Sequence, residues 1–274
     1  MSKVIDKMAL IQSIFIDAKE KGLSITNLNE LNSSLLTINS EFISLGYEAA
    51  AMGVAIKSIE KEHSLSIWDD FYQNYGKSHA AQVHVGLGWA LSELNLNPNE
   101  YITDLDSFLK YRVIDGFAYY KGKFKRRQAV RMQEIPKNMD DLSIRAYNQG
   151  LGRCFWYLAQ GEVEKLKRTI NIFSEDRHFD MWRGAGVALA YVGGTKNTVL
   201  EELVQASNKH LPAFKCGIAI ATQTRTKANA IVSDTEEICN FILNSNTTII
   251  SEKLTQFEEG NTYYDWIKKI EAEL

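Results

Sequence analysis

The chain has 274 residues with 45% hydrophobic and 24% charged residues and a net charge of −3. This is ordinary for a soluble globular protein, and the near-neutral charge argues against a chain whose main task is binding nucleic acid. Three cysteines, Cys154, Cys216 and Cys239, form no CxxC pair for zinc or redox work.

The N-terminal stretch MSKVIDKMALIQSIFIDAKEKG is periodic and apolar, but Asp6, Lys7, Asp17, Lys19 and Glu20 interrupt it. It fits neither a signal peptide nor a membrane span, which needs about 18 apolar residues in a row. The expectation is a soluble, cytoplasmic protein.

Six glycines then recur at nearly even intervals: Gly53, Gly86, Gly116, Gly150, Gly184 and Gly217, spaced by 33, 30, 34, 34 and 33 residues. Each lies in a small-residue, apolar run with helical spacing; in GLGWALSEL, Leu87, Ala90, Leu91 and Leu94 share one face. Three of the runs contain a G-x-G triplet. Glycine inside a helix costs about 1 kcal/mol relative to alanine. Repeating it makes sense where helices must approach more closely than a Cβ allows. The pattern predicts an all-α fold of stacked helix pairs, a tetratricopeptide-like α-solenoid with a repeat of about 33 residues, forming one domain over residues 1–274.

More polar segments between the glycine helices supply the second helix of each pair. GEVEKLKRTINIF carries Val163, Leu166, Ile170 and Phe173 on one face, and TVLEELVQA repeats the pattern. TEEICNFIL follows Asp234, which with Glu237 has capping-box spacing. The β-branched run Thr247–Leu254 is the best strand candidate and equally a helix start. Asn95–Glu100, Glu134–Asp141 and Gly193–Asn197 read as turns.

No GxSxG, HExxH, phosphate-binding or dinucleotide-binding glycine signature occurs, and the five histidines are scattered. No metal or cofactor is expected. The unusual groups are instead polar residues embedded in the glycine helices. Glu48, His84, Asp115 and Arg153 are the catalytic candidates, with Arg153 a partner for a carboxylate such as Glu48, Asp115 or Asp180. Asp115 and Asp180 also read as helix N-caps, and His84 as a core histidine. Trp89, Tyr120, Trp156, Asp180, Trp182 and Tyr191 are the substrate-binding candidates, because small residues beside large flat ones leave room for an elongated apolar ligand. The run Lys121–Arg127 carries five positive charges in seven residues. It reads as a solvated loop or a docking patch for an acidic partner, such as an acyl carrier protein.

The strings YEAAAMGVAI, HVGLGWALSEL, GLGRCFWYLAQG and DMWRGAGVALAYVGG, within Gly46 to Arg225, resemble the signature segments of a bacterial family, domain of unknown function 1702. Members of that family occur in enediyne polyketide gene clusters. The matching positions are Glu48, His84, Gly86, Trp89, Asp115, Gly116, Arg153, Trp156, Asp180, Trp182 and Tyr191. One departure stands out: Tyr120 and Lys121 occupy the places of a His-Glu pair in the family segment, which implies a different substrate or a lost activity. The resemblance implies a role in polyketide-type specialised metabolism and names no reaction. Two functions follow as expectations. One is a cofactor-independent enzyme acting on an apolar or polyene chain in a pocket along the glycine helices. The other is a non-catalytic helical-repeat scaffold that docks a carrier protein or partner enzyme in an open groove.

Overall fold

A computed structural model describes residues 3–274; Met1 and Ser2 of the N-terminal stretch lie outside the described residues. The α-helices are α1 (Lys3–Leu23), α2 (Leu28–Leu35), α3 (Ile43–Glu62), α4 (Ser66–Phe71), α5 (Ala80–Glu93), α6 (Lys110–Phe124), α7 (Asp141–Ala159), α8 (Val163–Ile170), α9 (His178–Val192), α10 (Asn197–Ser207), α11 (Leu211–Lys227), α12 (Ser233–Leu243), α13 (Thr247–Glu258) and α14 (Tyr263–Glu273). No strand occurs among the described residues. The fold is all-α. No helix is long and apolar enough to cross a membrane.

The six repeated glycines sit one each on α3, α5, α6, α7, α9 and α11, and these helices pack in chain order, with α1 and α13 continuing the row at its ends. The G-x-G triplets explain how. Residues two apart on a helix point about 200° away from each other, so the two glycines of a triplet face opposite neighbours. A Cβ on Gly150 would meet the Asp115 carbonyl oxygen of α6 at 2.1 Å, and one on Gly152 the Met181 carbonyl oxygen of α9 at 1.9 Å. Gly86 and Gly88 clasp α3 and α6 in the same way, and Gly184 and Gly186 clasp α7 and α11. Each triplet therefore marks a helix held between two others at backbone contact.

The expected helix pairs are kept only in part. The α8, α10 and α12 helices fall where the periodic polar segments predict them. Between α5 and α6 the ordered structure is a single 3₁₀ turn at Pro98–Glu100, and between α6 and α7 a π-helical turn at Arg127–Arg131. The middle of the row thus has no second layer of α-helices. The β-branched run at Thr247 is helical, α13, because Thr247, Ile250, Ser251, Leu254 and Phe257 bury one helical face. Asp234 makes no capping box: the N-cap is Val232, without a side-chain bond. The Asp234 carboxylate instead accepts from Lys3 Nζ, Lys7 Nζ and the Gly194 N–H. Asp115 lies in the middle of α6 and Asp180 inside the first turn of α9, so neither is a cap.

The row curves until its inner faces meet. Gln82 of α5 hydrogen-bonds Tyr191 of α9, although α6 and α7 lie between them in the row. The Arg225 guanidinium, fully buried, donates to the carbonyl oxygens of Tyr191 (2.7 Å), Ala230 (2.7 Å) and Glu41 (3.2 Å), tying α11 to the segment before α3. The α1 helix lies across the inner face, with the Tyr157 hydroxyl donating to the Met8 carbonyl oxygen at 3.1 Å. A contiguous buried core runs from Ala18 to Ile270.

Candidate functional site

Beneath α1 the inner face holds a cavity of about 400 Å³, within the size range of sites that take a small organic molecule. Its wall is assembled from six helices. The α1 helix gives Ile11, Phe15, Ile16 and Lys19, spaced to share a face, and α3 gives Leu45, Glu48 and Met52. The α5 helix gives Gln82, Trp89 and Glu93, and α6 gives Tyr119, Tyr120, Lys123 and Phe124. Arg153 and Tyr157 of α7, with Ala188, Tyr191 and Val192 of α9, complete it.

The aromatic groups cluster around Trp89, in tilted and edge-on contacts. Trp89 lies 4.6 Å from Phe15, 4.9 Å from Tyr119 and 5.8 Å from Tyr120 between ring centroids. Ile16 and Phe124 are both more than half exposed at the rim, so the mouth is apolar as well as the interior.

Three charged groups occur together at the inner end. The partly buried Arg153 Nε lies 2.7 Å from Oδ1 of the buried Asp115, whose other oxygen accepts from Gln149 Nε2 at 2.7 Å. Arg153 and Gln149 are four residues apart on α7 and so reach the same carboxylate. The guanidinium also covers the Tyr119 ring at 5.1 Å. Glu48, likewise buried, shares the cavity with Arg153. Burial raises the Glu48 carboxyl to about 7; the Arg153 charge opposes that rise and the Asp115 charge adds to it. Near neutral pH Glu48 is therefore poised between acid and base, the condition that suits a proton-transfer group. Asp115 is committed to Arg153, and the arginine stays charged beside it.

Of the residues singled out in the sequence, the cavity brings together Glu48, Trp89, Tyr120, Arg153 and Tyr191, with Asp115 directly behind Arg153. His84 does not join them. Its ring is buried edge-on to Trp68 and Tyr72, at 5.1 and 4.8 Å, with Nδ1 2.8 Å from the Ala80 carbonyl oxygen. Burial lowers its pKa to about 4, and it is a core histidine. Gln82 and Trp89, seven apart, face the cavity from α5, whereas His84 is turned well away from that line. Trp156 is wholly buried and lies outside the cavity wall. Asp180 belongs to a separate network with Arg145 (3.1 Å) and Arg183 (2.9 Å), the latter also bound to Glu271 (2.8 Å). Trp182 packs edge-on against Phe214 and borders a different depression near His178 and His210.

The basic run is not a free loop. Lys121 lies over the Phe117 ring, Lys123 lines the cavity, and Lys125 donates to the Ser92 carbonyl oxygen and Asn95 Oδ1; Arg126 and Arg127 are exposed. Phe15 and Gln82 line the site without having stood out in the sequence, and Lys123 stood out only as part of the basic run. Only Gln82 had a usable signal, its seven-residue spacing from Trp89.

Past the Gln82–Tyr191 contact lies a pocket of about 20 Å³, bounded by Gln82, Arg112, Asp115, Arg153, Tyr191 and Thr224. That volume suits a single water. A second cavity of about 350 Å³ shares Gln82, Arg112 and Thr224 with it, so Gln82 borders both larger cavities. Among the described residues no group of three or more His, Cys, Asp or Glu is placed to hold a metal ion.

No curated protein and no solved structure matches this chain. One family model does, over residues 2–274, and that extent includes every helix that builds the cavity. The chain belongs to the family described as protein of unknown function (DUF1702).

Proposed function

We propose that this protein binds an elongated apolar or polyene chain in the cavity under α1 and acts on it by proton transfer. Glu48 is the acid or base, and Arg153, held by Asp115, supplies fixed positive charge beside it. Such a step requires no cofactor. The observation that supports this reading most is a buried carboxyl with a pKa of about 7 at the inner end of an aromatic cavity. The enediyne-cluster association of the resembled family suggests a polyketide-type chain as the natural ligand. An open docking groove would suit a scaffold better; here α1 lies over the inner face and aromatic rings line the space beneath it.

The test is fluorescence titration with parinaric acid methyl ester, an uncharged polyene. Saturable binding is expected, weakened about tenfold or more by Ala188→Phe, which fills the chamber. No binding to the unaltered protein would remove the reading. Exchange of solvent deuterium into the bound chain, followed by mass spectrometry, is expected to stop in Glu48→Gln while binding persists.

A second reading concerns delivery. Arg126 and Arg127 are exposed directly after α6, whose Lys123 and Phe124 border the mouth. This placement favours a carrier protein presenting its chain to the cavity, with association that weakens as salt rises.

A further inference from the structure

We propose that the cavity's ligand is an amphiphile, an apolar or polyene chain ending in a carboxylate that is held by the Lys123 ammonium. The inference rests on the reading of the cavity as a site for an apolar chain and adds the chemistry of one end of that chain.

The other cations of the wall already have partners. Lys19 Nζ lies 2.9 Å from Glu93, and Arg153 pairs with Asp115. Outside the wall, Lys121 and Lys125 are engaged as described. Lys123 makes no ion pair among the described residues. Its Nζ is surrounded by rings, 4.8 Å from the Tyr157 centroid, 5.3 Å from Phe124 and 5.8 Å from Trp89.

Ring faces attract an ammonium but bring no counter-charge, and taking a charge out of water without one is costly. Burial accordingly lowers the Lys123 pKa. Of the wall's carboxyl groups, Glu93 is committed to Lys19, Glu48 sits at the inner end beside the Arg153 charge, and Glu20 stands at the exposed rim. A carboxylate arriving with the ligand supplies the missing charge. The surrounding rings exclude water from the pair and accept the first part of the chain. Phe124, exposed beside Lys123, places this anchor toward the mouth, so the chain runs from Lys123 inward toward Glu48.

Parinaric acid and its methyl ester share one polyene chain, differ in the charge of its end and by one methyl group, and are compared by fluorescence titration on the full-length protein at pH 8. The acid is expected to bind about tenfold more tightly, the scale of one charge-assisted hydrogen bond. Lys123→Met should bring the acid to the ester's affinity, while Lys123→Arg retains the preference. Equal affinities for acid and ester in the unaltered protein overturn the inference and leave the apolar-chain reading standing; this comparison requires no variant to fold. A preference that survives in Lys123→Met overturns it as well. Failure of both compounds to bind removes the inference together with the reading beneath it.

Discussion

Glu48 shows how strongly position governs the chemistry of a single side chain. An exposed glutamate titrates near 4.5, whereas this one is moved to about 7 because α3 buries it at the inner end of the cavity. The folded state therefore holds a proton that the unfolded chain releases between these values. The Glu48 contribution to stability is fully present below pH 4.5 and is lost as pH rises through 7. Glu48→Gln abolishes this dependence. Denaturant titrations at pH 5 and pH 8 should show the variant gaining on the wild type by up to about 3 kcal/mol at the higher pH. Identical pH profiles would mean that Glu48 titrates normally. His84, an equally suggestive residue in the sequence, shows the opposite outcome: its ring is enclosed by Trp68 and Tyr72 and meets no cavity.

For the helices, glycine is the organising residue. Alanine has the better helix propensity by about 1 kcal/mol, yet at Gly152 its Cβ would sit 1.9 Å from the Met181 carbonyl oxygen, a backbone atom that cannot step aside alone. Gly152→Ala should lose about 3 kcal/mol or more in chemical denaturation, as overpacking against a fixed neighbour does. Gly260 is the contrasting case. Its φ is +70°, with nothing within 4 Å of an added Cβ, so Gly260→Ala should cost only about 1 kcal/mol, the left-handed backbone penalty. Comparable losses at both positions would show that backbone conformation, rather than close approach, explains the repeated glycines.

At the scale of the molecule, the cavity depends on α1 being held across the curved row. Lys3 and Lys7 reach Asp234 at the start of α12, and Lys7 also reaches Glu41. Burial works to raise the Asp234 pKa, but the hydrogen bonds and charges of the two lysines outweigh it and hold the carboxyl below its usual 3.8. The stabilisation is thus present above pH 3.8 and lost as pH falls through the depressed value. Asp234→Asn should speed amide hydrogen exchange in α1 at pH 7 and raise the dissociation rate of a bound polyene. Its stability difference from wild type should shrink below about pH 4. Exchange in α1 that matches the wild type would show that apolar packing alone holds this helix.

Spacing and residue type in the sequence already determined the helical character, the glycine-marked row and the family resemblance, because close helix contact leaves a local signature that recurs with the helices. They also indicated that Glu48, Arg153, Trp89, Tyr120 and Tyr191 lie in the same set of helices, and that Arg153 would meet a buried carboxylate. The direction of each side chain was not legible there. Whether His84, Trp156, Asp180 and Trp182 face the chamber depends on how far the row curves and on which helix face turns inward. That curvature comes from contacts between residues distant in the chain: Gln82 with Tyr191, Arg225 with Glu41, and Asp234 with Lys3 and Lys7. The missing second helices beside α6 and the place of Lys123 among three rings were likewise settled only by packing. Local pattern specifies the helices, and long-range closure decides which of their side chains share a cavity.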